Sequence, residues 1–246
     1  MTVHIERGGE TGPTVLLLHG SGATAAVWAP VLREIGNLRW IVVDLPGHGR
    51  SEWLPAYHHH DYAAAIGAAV ETEVDLVAGH SLGALIALTL ADGTHGVHAH
   101  AVTAIAMKVR WTPEELSRRV SRPHRTFPDR EDALRRFAKA SGLPEDSPDL
   151  ATGIRQTPDG YQLAADPRLT ADLPATQEEL AAVMSRVTAP VRLVCGDADP
   201  GIEAADMAAV LGREVEIIPG AGHNPHLDDP ARIADLIKTD LAATRG

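Results

Sequence analysis

Five residues of this 246-residue chain, Gly79-His80-Ser81-Leu82-Gly83, have the types and spacing for nucleophilic chemistry. They follow the apolar run 74–78 and open into Ala84-Leu85-Ile86-Ala87-Leu88. Gly-x-Ser-x-Gly at the corner between a strand and a helix is a nucleophile elbow: the serine takes strained dihedrals and projects its hydroxyl above the sheet. The two glycines are small because strand and helix pass close on either side of it. A serine hydroxyl is a weak nucleophile at neutral pH, so it needs a general base, and the base needs an orienting acid. The C-terminal third offers both at strand ends. Gly196-Asp197-Ala198-Asp199-Pro200 follows the apolar run 191–195, and Pro219-Gly220-Ala221-Gly222-His223 follows the run 214–218. Both loops are expected to leave the sheet edge that carries Ser81.

The elements that must hold these groups read as an α/β fold. Residues 3–7 alternate as an edge strand, and Gly8-Gly9-Glu10-Thr11-Gly12 turns it. Residues 14–18 and 40–43 are continuous apolar runs, the pattern of strands buried on both faces. Helices are expected over 25–35, 62–71 and 230–242, and further strands over 98–107, 191–195 and 214–218. This alternation predicts a mostly parallel sheet flanked by helices. The rhythm breaks between residues 107 and 191, where prolines and charged helical segments replace buried strands. Thr112-Pro113-Glu114-Glu115 is a capping box with proline at the first helical position, and Thr176-x-x-Glu179 is a second box. A third helix over 129–140 places Leu134 and Phe137 on one face. The expected organisation is a core domain of residues 1–107 and 190–246 with a helical cap insertion, 108–189, over the C-terminal sheet edge where such folds bind ligands.

Five motifs in this order resemble the α/β-hydrolase superfamily, in its serine-nucleophile, capped branch of esterases, haloperoxidase-like enzymes and carbon–carbon hydrolases. They are His19-Gly20-Ser21-Gly22, Asp44-Leu45-Pro46-Gly47-His48-Gly49-Arg50-Ser51, the elbow, Gly196-x-x-Asp199 and Gly220-Ala221-Gly222-His223. The resemblance implies Ser81 as nucleophile, His223 as base and Asp199 as acid. Asp197 is the rival acid, and the Gly-x-x-Asp spacing of the resemblance favours Asp199. It also implies an oxyanion hole from the backbone N–H of Leu82 and that of Ser21, with Gly22 in reserve. The activity it implies is hydrolysis of a small carboxylic ester or related acyl compound through an acyl-enzyme, with no cofactor and no metal. A carbon–carbon hydrolase, a lactonase and a thioesterase of the same fold are alternatives, as is a non-catalytic binding protein. A different class also fits one motif: Gly20-Ser21-Gly22-Ala23-Thr24-Ala25, trailed by Asp44, matches a dinucleotide-binding fingerprint. That reading leaves the elbow and both C-terminal loops unexplained.

Other features read as structural. Trp28, Trp111 and Phe137 are the candidates for lining a substrate pocket. His80 and His19 read as bracing residues, and Asp44 as the tie of its own loop. His58-His59-His60 reads as a solvated turn, because consecutive residues do not converge on one ion and no cysteine or carboxylate stands at ligand spacing. A formal charge of −11, with no basic cluster, argues against nucleic acid and anionic membranes as partners. The expected partner is a small-molecule acyl substrate. The single cysteine, Cys195, sits in an apolar run and reads as a buried strand residue in a reducing compartment. With no signal-peptide pattern and no run long enough for a membrane span, a cytoplasmic location is expected.

Overall fold

A computed structural model describes residues 1–118, 125–170 and 174–244. The first half of the chain contributes β1 (Ile5–Gly8), β2 (Thr11–Leu18), α1 (Ala29–Ile35), β3 (Leu38–Val43) and α2 (His59–Gly67). It continues through β4 (Glu73–Val74), β5 (Leu76–His80), α3 (Leu82–Ala91), β6 (His98–Ala99) and β7 (Val102–Ile105). Then come α4 (Pro113–Ser117), α5 (Arg130–Ser141), β8 (Ile154–Thr157), β9 (Gly160–Leu163) and α6 (Gln177–Arg186). The chain closes with β10 (Val191–Gly196), α7 (Ala204–Leu211), β11 (Val215–Ile218), α8 (Pro225–Asp228) and α9 (Pro230–Ala243).

The central sheet has seven strands in the order β1-β3-β2-β5-β7-β10-β11. Only β1 runs antiparallel to its neighbour; every other pairing in this sheet is parallel. The strands without polar alternation are those with helices on both sides. Along β2, Leu16 and Leu18 enter one apolar cluster while Val15 and Leu17 enter the other, the period of two expected of a strand. One cluster joins the sheet to α2, α3, α6 and α7, the other to α1, α5 and α9. All parallel strands therefore point the same way, and the loops after β2, β5, β10 and β11 gather at one edge.

Between β7 and β10 the helices are close to their expected places. Thr112 Oγ1 accepts the Glu115 N–H (3.2 Å) and Glu115 Oε2 accepts the Thr112 N–H (2.9 Å). The Thr176–Glu179 box closes in the same manner, at 3.2 and 2.7 Å. The stretch is not purely helical, however. β8 and β9 form an antiparallel hairpin there, of two four-residue strands that are at most half-buried. Such short strands leave no continuous apolar run in the sequence. Nor does this stretch sit wholly apart from the core, since Phe137 and Ala138 of α5 belong to the cluster under α1 and α9. The expected strand 98–107 is broken as well: β6 pairs with β4, and β7 alone enters the main sheet.

Candidate active site

The site is built around the turn from β5 into α3. Ser81 stands between them at φ 52°, ψ −112°, a left-handed conformation that side chains rarely adopt, and its N–H donates to the Ile105 carbonyl at 2.8 Å. The flanking glycines make the corner possible. A Cβ on Gly79 would fall on the Gly83 carbonyl, and one on Gly83 would fall on the Leu18 carbonyl. The helix then starts at Leu82, so its first N–H groups have no partner one turn back.

Opposite the elbow lies the loop after β2, held by two buried histidines. His19 donates from Nδ1 to the Gly20 carbonyl (2.7 Å) and accepts the Leu45 N–H at Nε2 (2.9 Å). His48 donates from Nδ1 to the Pro46 carbonyl (3.2 Å) and accepts the Gly22 N–H at Nε2 (3.0 Å). Carbonyls only accept and amides only donate, so both tautomers follow from their partners. Desolvation holds both rings neutral, pushing His19 down to about 4 and His48 to about 3. One consequence separates the two candidate donors of this loop. The Gly22 N–H is committed to His48, whereas Ser21 borders the same cavity as Ser81. Asp44, fully buried, accepts the N–H of Ala25 (2.8 Å) and of Arg50 (3.0 Å), tying its loop to the start of the first helix.

The two C-terminal loops meet beside the elbow. Asp199 Oδ2 accepts from His223 Nδ1 at 2.7 Å, and its other oxygen accepts the Gly201 N–H at 2.8 Å. Its carboxylate is 2% exposed. Asp197 does different work: its Oδ1 accepts the Gly220 N–H at 2.7 Å and braces the loop that carries His223. With Nδ1 donating to a carboxylate, the neutral His223 ring keeps a lone pair on Nε2, the form a general base requires. His80, next to Ser81, donates from Nε2 to the His223 carbonyl (2.8 Å), with the two rings 5.0 Å apart. Burial pushes His80 down to about 3. A hydrogen bond from Ser81 to His223 is not among those of the described residues. In sites of this design that contact often tightens only in the complex with substrate.

Ser81 and Leu82 border a cavity of about 140 Å³ walled by Tyr62, Leu85, Trp111 and Leu180. Of the three aromatic candidates, Trp111 lines this cavity. Trp28 and Phe137 do not. Trp28 is fully buried on the α1 face with its ring 4.9 Å from His226, and Phe137 is buried on the same face against Gly153. Both fill the core because a large apolar side chain looks the same in sequence whichever side of the sheet it faces. The histidine run also needs correcting. His59 opens α2 and is 4% exposed, and His58 and His59 both border the cavity. A buried histidine has no mark in sequence that separates it from a solvated one.

A parallel sheet with a serine at the β5–α3 corner, and an Asp–His pair on the loops after β10 and β11, defines the α/β-hydrolase class. The chain belongs to the alpha/beta hydrolase family, whose pattern it matches over residues 15–236. It is 31% identical to a pimeloyl-[acyl-carrier protein] methyl ester esterase of Methylococcus capsulatus, over 99% of this chain and all of that protein. It is 26% identical to a 2-succinyl-6-hydroxy-2,4-cyclohexadiene-1-carboxylate synthase of Salmonella arizonae, over 93% of this chain and 94% of that one. Among solved structures it shares its fold with E-2-(acetamidomethylene)succinate hydrolase, at TM-score 0.81 and 24% identity, covering 98% of this chain and 95% of the other. No helix among the described residues is long and apolar enough to cross a membrane.

Proposed function

We propose that this protein is a serine hydrolase that cleaves a small carboxylic ester through an acyl-enzyme. Ser81 attacks the carbonyl carbon while His223 Nε2 takes its proton, and Asp199 holds the imidazole in the basic tautomer and stabilises the imidazolium. The oxyanion is received by the N–H groups of Leu82 and Ser21. His223 then protonates the departing alkoxide, and a water activated by the same nitrogen releases the acid. No step calls for a cofactor. The observation that carries this reading is the 2.7 Å bond between His223 and Asp199, beside a strained serine that borders an apolar cavity. Similarity along the whole chain to a methyl ester esterase supports an ester over other acyl compounds. Residues 108–189 serve as the cap, bringing Trp111 and Leu180 to the cavity wall.

Size narrows the substrate. A cavity of 140 Å³ is comparable to one of ~150 Å³ that holds a benzene ring, which favours a short acyl chain. With p-nitrophenyl esters, kcat/KM should peak at about four to six acyl carbons and fall at least tenfold by about ten. A fluorophosphonate probe should label Ser81, and Ser81→Ala should abolish both labelling and turnover. Lactones, thioesters and ring-fission diketones run beside the esters measure the preference for an ester. Inertness toward every one of them, with no label at Ser81, would overturn the reading.

A further inference from the structure

The cavity has a second chemical feature that ester hydrolysis leaves unused. His58, at the N-terminus of α2, His59, in its first turn, and Glu179, in α6, bring one ligand atom each to within 4.8 Å of one another. Each side chain is fixed by its other polar atom or by its helix. His59 Nδ1 bonds the Thr89 hydroxyl at 3.0 Å, and that hydroxyl donates to the Leu85 carbonyl, so Nδ1 carries the proton. His59 Nε2 is therefore a lone pair. It is buried and finds no hydrogen-bond partner among the described residues, in a side chain that borders the cavity. Burial also holds this ring neutral down to about pH 4. Glu179 Oε2 accepts the Thr176 N–H, which leaves Oε1 turned to His58 Nε2 at 3.2 Å. The His58 N–H is held by Asp61 Oδ2 at 3.0 Å.

We infer that His58, His59 and Glu179 form a site for a divalent transition ion of the zinc class, set in the cavity wall and joining α6 to α2. Two imidazoles and one carboxylate are a ligand set that suits zinc and leaves a fourth tetrahedral position for water or a substrate atom. Neighbouring ligand atoms of a tetrahedral zinc stand about 3.3 Å apart, close to the His58–Glu179 separation. The Thr89 hydroxyl behind His59 is the outer partner that fixes the tautomer of a ligating histidine. Hard ions that prefer oxygen, such as magnesium, do not suit this set. His60 is excluded because its Nδ1 faces His95 Nε2 at 2.9 Å.

The test uses the full chain without a polyhistidine tag, stripped with chelator and titrated with zinc chloride by calorimetry. Cobalt(II) absorption reports the geometry. The expected result is one zinc per chain, a tetrahedral cobalt spectrum, no saturable uptake of magnesium, and a thermal midpoint that rises with zinc. His59→Ala and Glu179→Gln should each weaken binding by about a hundredfold or more. His60→Ala and Ser81→Ala should bind as the parent does, so the result stands or falls separately from the hydrolase reading. Circular dichroism checks folding. Should His59→Ala fail to fold, Glu179→Gln, on a half-exposed side chain, carries the test. The site is overturned if the parent chain shows no saturable zinc binding, if Glu179→Gln binds undiminished, if magnesium binds equally, or if His60→Ala abolishes uptake.

Discussion

His19, His48 and His80 brace the loops about the elbow without carrying charge. Each is fully buried or nearly so, and its neutral tautomer is dictated by a backbone partner. In the unfolded chain such rings take up a proton below about pH 6.5, but in the fold they do so only near pH 3 to 4. Between those limits the unfolded state binds more protons, so stability falls as pH drops, by about 1.4 kcal/mol per pH unit for each histidine. Urea denaturation should show stability falling steadily from pH 7 to pH 5, with His59, also held neutral down to about 4, adding to the loss. A flat profile across that window would mean that these rings are not held neutral. The two candidate acids also part at this scale. Asp199 touches the imidazole and Asp197 touches a backbone amide, so Asp199→Asn should lower kcat about a thousandfold or more while Asp197→Asn changes it far less. The reverse ranking in steady-state kinetics would move the orienting role to Asp197.

At the scale of elements, the corner from β5 to α3 tolerates no extra atom. Gly83→Ala sets a methyl against the Leu18 carbonyl, and the sheet cannot yield without shifting the loop that carries Ser21. The substitution should cost about 3 kcal/mol in chemical denaturation and depress activity even where the protein folds. A variant as stable as the parent would show the corner to be looser than described. The same tightness explains why the elbow was legible in sequence. Glycines required by contact, capping boxes required by helix ends and unbroken apolar runs required by two-sided burial each have one reading. What sequence did not disclose are the features with several. β8 and β9 are too short and too wet to stand out from a loop. α2 begins at His59 rather than near Tyr62, because its N-terminus carries a histidine instead of a familiar cap. Trp28 and Phe137 are large and apolar on either side of a sheet, and only the packed chain tells which side faces a substrate.

On the scale of the whole molecule, the cavity sits where the stretch between β7 and β10 meets the core, with α3 and Tyr62 on one side and Trp111 and Leu180 on the other. Both sides of that seam come from sequence regions of different legibility. The core side is spelled out by ordered motifs, while the other is assembled from scattered residues such as Trp111, Leu169 and Leu180. Under the proposed function, substrate size is set by this cavity rather than by any motif. At one end of the sheet, β11 has a strand neighbour on one flank only among the described residues, and Ile217 there is 40% exposed. A bare flank with an apolar residue invites a second chain to add its own strand. Glu216, beside Ile217, is gripped by Arg192 at 2.6 Å and by Arg232, and Arg192 also reaches Asp240 at 2.6 Å. That knot of charges works as a guard against self-templating. Replacing Glu216 with valine should bring concentration-dependent association, seen by light scattering. A strictly monodisperse variant would show that the flank is protected by something else.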